Sequence, residues 1–416
     1  MIFPVFLSGG KNKQIMRLFL VKKVTFAIKV KGVFFDIQLP DSKSIKIRQM
    51  MVAHVHGREL PTVSERDSHD VWVTRLALST VKAALESCSS EECVVDVEDC
   101  GAAYRFLLPL LAVSPCQSLL TGTPRLLQRP VEPLVEALLK IGADIQRTDA
   151  GWRIHGKPLK AKEMSIDASL SSQMASALVL AAPLLELKTL HLIPPHIPSM
   201  PYLQMTLACT KDYPVEIPGV TVPEGPVGAT GDWSAALFWF AHARLHPENQ
   251  YRLSPLSDKS IQGDSVIYKW FKELNASIST DSLSMIIHAE PLSKKPKMVL
   301  DVQHCLDTVP VMAALAALLP ADITFQNVTN LQYKESDRLH ALAEQLSPYA
   351  EITLSDSTLR INGKGALTNT NLHFDTHHDH RLAMAFLLFG PSAVLNDTDC
   401  LRKSYPGLME ELGFKV

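Results

Sequence analysis

The chain has 416 residues, 46% hydrophobic and 20% charged, with 41 Lys and Arg against 43 Asp and Glu, for a formal net charge of −2. That apolar content offsets chain entropy and excludes wholesale disorder, and the charge balance excludes a basic nucleic-acid footprint. At roughly 150 residues per domain, the length predicts two or three domains.

Cysteines stand at 88, 93, 100, 116, 209, 305 and 400, an odd set with no CxxC pair. Free thiols in a reducing cytoplasm are expected, rather than a zinc site or a disulfide framework. The longest apolar helix-like run, Met174 to Leu185, is too short to span a bilayer. The N-terminal MIFPVFLSGGKNK has no basic region before its apolar patch and no clean cleavage site, so it reads as an extension or misplaced start.

In chain order, a polar cluster followed by an Ala/Leu/Met-rich helix recurs six times. The copies are DSKSIKIRQMMVAHV from Asp41, DCGAAYRFLLPLLAV from Asp99, LSSQMASALVLAAPLL from Leu170, GDWSAALFWFAHARL from Gly231, DTVPVMAALAALLP from Asp307 and HDHRLAMAFLLFG from His378. Their starts lie 58 to 76 residues apart. These helices are apolar nearly all round and are expected to be buried. Between some of them comes an amphipathic helix followed by two alternating stretches, beginning at Leu134, Val266 and Leu339. Each predicts an exposed helix and then a hairpin. The sum is an α/β chain built from a repeated βαβαββ-like unit. The Pro/Gly-rich stretch from Pro214 to Gly231 divides units three and four.

Helix N-termini offer free N–H groups and partial positive charge, and so attract anions. Here they carry Lys43, Ser44 and Arg48; Arg105; Ser171, Ser172 and Gln173; and His380 with Arg381. Loops add Arg125, Arg129, Lys334, Arg338 and Lys403. Together they suggest a cleft for more than one anionic group. Three residues offer proton chemistry, each with a bland alternative. Asp307 is either a proton carrier or an N-cap. Glu335 is either a proton carrier or a helix salt-bridge partner of Arg338. His380 is either a donor or an ordinary histidine. No P-loop and no GxSxG elbow occurs, and the His377, His378, Asp379, His380 cluster is too local to make a metal site.

The segments LPDSKSIKIR, DCGAAYRF, TGTPRLLQRP, LSSQMASALVLAAP, PSMPY, GDWSAA, NLQYKESDRL, DHRLAMAF and KSYPGL occur in this order from about Leu39 to Leu412. In combination they resemble the 5-enolpyruvylshikimate-3-phosphate synthase family of enolpyruvyl transferases. The resemblance implies two similar domains, each of three βαβαββ units around a pseudo-threefold axis with buried helices, an inside-out α/β barrel. Residues 1–39 and 230–416 would form domain I and residues 40–229 domain II, with the active site in the cleft between them. The implied reaction moves the enolpyruvyl group of phosphoenolpyruvate to the 5-hydroxyl of shikimate-3-phosphate and releases phosphate. It proceeds by addition and elimination in the shikimate pathway of aromatic amino-acid biosynthesis, the target of glyphosate.

Carried over residue by residue, shikimate-3-phosphate would be held by Lys43, Ser44, Arg48, Ser171, Ser172, Gln173, Ser199, Tyr202, Asp307, Asn330 and Lys334. Phosphoenolpyruvate would be held by Lys43, Gly101, Arg125, Gln173, Arg338, Arg381 and Lys403. Asp307 would stand nearest the 5-hydroxyl and Glu335 nearest the vinyl carbon, with Lys43 sharing the proton work. No metal, cofactor, nucleic-acid or membrane partner is implied, and the expected state is a cytoplasmic monomer. The chain departs from the family in several places. DCGA replaces NAGT, putting Asp99, Cys100 and Ala102 in the loop, and Phe106 stands where proline is usual. Asp41, Lys46 and Ile47 alter the first anion loop. The stretch from Glu59 to Val97 is short for a full unit. These changes put the response to glyphosate in doubt. The same-fold alternative, UDP-N-acetylglucosamine enolpyruvyl transferase, normally shows Lys-Asn where this chain has Lys43-Ser44. The other alternative, a non-catalytic binder, sits poorly with Lys43, Arg125, Asp307, Glu335, Arg381 and Lys403.

Overall fold

A computed structural model describes residues 32–87, 91–228, 230–281, 283–365 and 372–414. The N-terminal extension expected from the sequence lies outside them. All six Ala/Leu/Met-rich segments are helical: Lys43–Val55, Gly101–Val113, Gln173–Leu185, Trp233–Leu245, Val309–Leu318 and His380–Leu387. They are called here the first to sixth buried helices. The first is an exception to the expectation that all are apolar nearly all round, since KSIKIRQMMVAHV is mixed and buries seven of its thirteen residues; the other five have little polar face and nowhere stable to sit but inside. Every residue of the sixth is buried, and in the second only Ala102 and Val113 are not.

The three amphipathic segments form helices Glu132–Lys140, Ile267–Glu273 and Arg338–Leu346, each followed by an antiparallel hairpin. Each hairpin joins two parallel strands in a four-stranded sheet. Phe34–Gln38 and Gln250–Ser254 open one sheet, Cys93–Asp96 and Gln117–Thr121 another, and Lys297–Asp301 and Asp322–Gln326 the third. In all three the later hairpin strand packs inside and the earlier one forms the edge.

Elsewhere the expected unit is abbreviated. Among the described residues, two sheets have only two strands, Glu163–Asp167 with Thr189–Ile193 and His373–Phe374 with Val394–Leu395. The segment from Lys43 to Ser87 contributes helices and, among the described residues, no strand. After Thr189–Ile193 the chain enters the proline-rich 214–226 stretch, which makes only an isolated bridge between Thr189 and Glu216. Proline cannot donate to a ladder, so no hairpin forms there.

The buried apolar residues fall into two large clusters. One runs from Ile47 to Ile217. The other combines Ile37 and Leu39 with residues from Trp233 to Leu408. The first three buried helices pack together in the former, and in the latter the fifth packs against the fourth and the sixth. The chain passes between the clusters twice, at 40–42 and 230–232, and the two passes lie side by side. Ser42 N donates to Thr230 O (2.9 Å), Asp232 N donates to Pro40 O (3.0 Å), and Asp41 bridges Gly231. A small apolar cluster of Ile45, Met205, Ala208 and Ile261 sits beside this crossing.

Candidate active site

Two sets of polar contacts tie the starts of the six buried helices together, one of four helices and one of two. The fourth is capped by Asp232, whose Oδ1 accepts from Ser234 N and Ala235 N (2.8 and 3.0 Å), while its Oδ2 accepts from Lys43 N at the start of the first (3.1 Å). Lys43 Nζ pairs with buried Asp70 (3.0 Å), and Asp70 lies 3.9 Å from Lys403 Nζ. Lys403 in turn pairs with Asp99 (2.5 Å), just ahead of the second helix. In that helix Arg105 Nη1 donates to the side chain of Gln173 (2.9 Å), which opens the third.

The fifth and sixth helix starts are joined by one guanidinium. Arg338 is 1% exposed and holds Asp379 through Nε and Nη2 (2.8 and 3.1 Å), Asp307 through Nη1 (2.9 Å) and Glu335 through Nη2 (2.8 Å). Asp379 also caps the sixth helix by accepting from Arg381 N (2.9 Å). Lys334 Nζ adds a second cation to Asp307 Oδ1 (3.1 Å), and Arg129 Nη1 a second to Glu335 Oε1 (3.2 Å).

Burial alone would raise both acids. For Asp307, Lys334, Arg338 and Arg381 outweigh it and hold the carboxyl well below the usual range. For Glu335, Arg129, Arg338 and Lys403 do the same. The bland reading of Glu335 holds in part, and that of Asp307 does not. Glu335 makes the i,i+3 pair with Arg338, and Asp307 lies in the turn Leu306–Thr308 that leads into the fifth helix. Asp307 makes no cap hydrogen bond among the described residues, however, and both of its cation contacts fall on Oδ1.

The cleft between the clusters is lined by Arg105, Arg129, Ser171, Gln173, Ser199, Asn330 and Lys334, with Leu306 and Tyr333 among its apolar walls. Asn330 Nδ2 donates across it to Ser169 O (3.3 Å). Arg125 reaches across to Glu335 O and Lys334 O (3.1 and 3.2 Å). Gly101 is fixed by close approach: a Cβ there would lie 2.6 Å from Arg129 Nη1 and 3.1 Å from Arg105 Nη1. Arg48 is buried with neutral partners only, Thr206 Oγ1, Ser44 O and Tyr202 O (2.7, 2.8 and 3.0 Å), above the Phe106 ring. Burial pulls its pKa down to about 10. Tyr202 OH donates to Asp264 (3.3 Å), and Ser172 is buried below the cleft. Arg381 is buried with its Nε unpartnered.

His380 is buried too, and burial with Lys43 and Arg381 pushes its pKa well below the ordinary value. It is neutral at pH 7, which removes it as an imidazolium donor. Sequence reading missed Asp70, which lies at the start of helix His69–Ser87 and carries no motif of its own. It flagged Arg105 and Arg129 as cations but left them out of the site. Burial of Arg105 beside Arg129 brings its pKa down to about 9.

Among the described residues, no helix is long and apolar enough to cross a membrane. The family model for EPSP synthase (3-phosphoshikimate 1-carboxyvinyltransferase) matches residues 36–412. The 3-phosphoshikimate 1-carboxyvinyltransferase of Bacteroides fragilis is 30% identical over 401 residues, covering 90% of this chain and 94% of its own. That of Photobacterium damsela subsp. piscicida is 29% identical over 413 residues, covering 91% and 96%. The fold is similar to that of EPSP synthase from Acinetobacter baumannii (TM-score 0.65, 19% identity, 92% of this chain and 95% of that one). It is also similar to the enolpyruvyl transferase NikO from Streptomyces tendae (TM-score 0.60, 15% identity, 92% and 94%). With a family match across nearly its whole length, the chain belongs to the EPSP synthase family.

Proposed function

We propose that the enolpyruvyl transfer catalysed by this shikimate-pathway enzyme takes place in the cleft at the six helix starts, with Asp307 and Glu335 as the acid–base pair. The observation that carries this reading is that one buried guanidinium, Arg338, grips both carboxylates. Asp307 is ionised and its two cations bind Oδ1, so Oδ2 is the atom that would accept the 5-hydroxyl proton of shikimate-3-phosphate. The 5-oxygen then attacks C2 of phosphoenolpyruvate while C3 takes a proton. Loss of a C3 proton with departure of phosphate completes the elimination.

Glu335 as proton donor faces an obstacle, since the cations around it keep it deprotonated. Phosphoenolpyruvate supplies the remedy. Its phosphate and carboxylate would engage Arg125, Arg338, Arg381 and Lys403, with Lys43, Gly101 and Gln173 completing the subsite. Neutralising Arg338 and Lys403 removes part of the field that depresses Glu335, and its proton affinity rises as the substrate arrives. Lys43 is the second candidate for proton traffic. Shikimate-3-phosphate would lie against Lys43, Ser44, Arg48, Ser171, Ser172, Gln173, Ser199, Tyr202, Asn330 and Lys334. Arg48, whose partners are all neutral, brings an uncompensated positive charge to it.

The same reading divides the chain into domain I (residues 1–39 and 230–416) and domain II (40–229), each an inside-out α/β barrel of three units derived from βαβαββ, some of them abbreviated, about a pseudo-threefold axis. Two separate cores and the paired crossing at 40–42 and 230–232 support the division. The same reading makes the protein a cytoplasmic monomer, and free thiols at the described cysteines suit a reducing compartment. The test is phosphate release from shikimate-3-phosphate and phosphoenolpyruvate, together and singly, by the wild-type protein and by Glu335→Gln. Release that needs both substrates and falls by about 10² or more in the variant supports the assignment. Undiminished release in Glu335→Gln removes Glu335 from it.

A further inference from the structure

The acid in the DCGA loop lies across the cleft on a lysine. Asp99 Oδ2 is 2.5 Å from Lys403 Nζ, and the same ammonium donates to Asp99 O (2.6 Å). Lys403 is 4% exposed and belongs to the turn Asp399–Lys403, on the side of the cluster that ends at Leu408. Asp99 belongs to the other side, one residue before the cap of the second buried helix. The pair therefore spans the cleft.

Its neighbourhood sharpens the point. Lys43 and Lys403 face two carboxylates of the chain itself, Asp70 and Asp99. Asp70 is 5% exposed and fixed in a helix. The Asp99 side chain is 42% exposed, on a loop, and so can move away at small cost. Burial would lower the Lys403 pKa, but Asp70, Glu335 and Asp99 together push it up to about 12. The ammonium is charged throughout the physiological range, and an arriving anion must share it or displace what holds it.

We infer that Asp99 sets the affinity for phosphoenolpyruvate: it is an internal carboxylate that occupies Lys403 across the cleft and competes with the anionic groups of the substrate for that ammonium. This rests on the reading that Lys403 belongs to the phosphoenolpyruvate subsite. Asp99 is a positioning residue, because it acts through Lys403 and not on the reacting atoms. Its effect should fall mainly on phosphoenolpyruvate, since Arg48 bonds to Thr206, Ser44 and Tyr202, and Asn330 to Ser169, and among the described residues only Lys43 of the shikimate-3-phosphate side is linked to Lys403, through Asp70.

The test is steady-state kinetics at fixed low ionic strength for wild type, Asp99→Asn, Asp99→Ala, Lys403→Met and the Asp99→Asn/Lys403→Met double variant, with KM read for each substrate. Removing the competing charge should lower KM for phosphoenolpyruvate about three- to fivefold in both Asp99 variants and leave KM for shikimate-3-phosphate within about twofold. Lys403→Met should raise KM for phosphoenolpyruvate about tenfold or more, and in that background Asp99→Asn should no longer lower it. If Lys403→Met raises KM but neither Asp99 variant lowers it, the competition is refuted while the subsite stands. Equal lowering with and without Lys403 also refutes it, because Asp99 would then act by general charge. If Lys403→Met leaves KM for phosphoenolpyruvate unchanged, the subsite reading fails and the inference goes with it. Asp99 lies on an exposed loop, so its two variants stay informative even if Lys403→Met folds poorly.

Discussion

Asp307 carries two cation contacts on one oxygen, and that asymmetry separates its structural role from its proposed chemical one. An amide in its place keeps the shape and one acceptor but cannot take the proton. Asp307→Asn is expected to lower kcat by about 10² to 10⁴ while shikimate-3-phosphate affinity changes by less than about fivefold. Turnover and calorimetric binding on the same preparation check this, and near-normal turnover would take Asp307 out of the mechanism. Phe106 makes a different case. It is fully buried, and its ring lies 5.2 Å from the Arg48 guanidinium carbon. Phe106→Leu keeps an apolar side chain but removes the ring face, so it should weaken shikimate-3-phosphate binding about two- to fivefold with little effect on KM for phosphoenolpyruvate. Equal loss for both substrates would mean the ring only fills space. At this scale the sequence was informative where a residue type has few uses: Asp307, Glu335 and Arg338 lie in recognisable strings. It was silent on Asp70, an ordinary helix acid until the fold brings it to Lys43. It also left His380 open, because a histidine's charge depends on burial that no local motif records.

At the level of elements, acids cap the helix starts and tie them to the site. Asp379 is fully buried, caps the sixth helix and receives two bonds from Arg338 and one from Ser336 Oγ (2.9 Å). Asp379→Asn removes the most deeply buried of the three carboxylates on Arg338 and should cost about 3–5 kcal/mol in denaturant unfolding. Asp337 caps the helix Arg338–Leu346 by accepting from His340 N (3.1 Å) on an exposed face. Its alanine variant should cost only about 1 kcal/mol. Equal costs would mean that the Asp379–Arg338 pairing adds nothing beyond a cap.

The last helical turn, Leu408–Glu411, offers a pH test. Glu411 accepts a hydrogen bond from Tyr405 OH, and Trp239 Nε1 donates to that same hydroxyl (2.9 Å). Burial raises the Glu411 pKa to about 7. An acid raised in the folded state favours folding when protonated, so its contribution is present at low pH. It declines from about 4.5 upward and is gone above about 7. Glu411→Gln should therefore match wild type near pH 5 and melt on the order of 1–2 °C higher at pH 8.5. A gap that is the same at both values would mean that titration of Glu411 is not coupled to folding. Elements were the most legible scale, because Ala/Leu/Met-rich runs and alternating hairpins follow directly from periodicity. Of the abbreviated units, the one shortened between Glu59 and Val97 was legible from its length, whereas the others were not, since an isolated bridge at Thr189 and a two-stranded sheet leave no pattern of their own.

For the molecule as a whole, the two clusters meet through groups of different character from those inside them. Each cluster is apolar, whereas the contacts across the cleft are made by Arg125, Arg129, Asn330 and Lys403. Nearer the paired crossing, Ser199 N donates to Gln303 O (2.8 Å) and Tyr202 OH to Asp264 (3.3 Å), beside the small Ile45, Met205, Ala208, Ile261 cluster. The chain passes there twice, in two adjacent strands at 40–42 and 230–232. Such a connection permits rotation about one line, while the charged contacts at the far rim set how closed the cleft stays. The division into two parts was legible from the proline- and glycine-rich break before Gly231, but the ion pairs at the rim join residues about 200 positions apart, as Arg129 and Glu335 are, and no spacing rule finds them. The physical consequence is specific. Replacing Arg125 and Arg129 with alanine removes three cross-cleft contacts and leaves both clusters intact. In small-angle scattering the unliganded double variant should show a radius of gyration larger than wild type by on the order of 1 Å, against a compact-chain value of about 22 Å. Shikimate-3-phosphate with glyphosate should bring the wild-type radius to its smallest value and the variant only part of the way. Identical radii for the two proteins in both conditions would show that these arginines do not govern closure, leaving it to the crossing and to the contacts of Asn330 and Lys403.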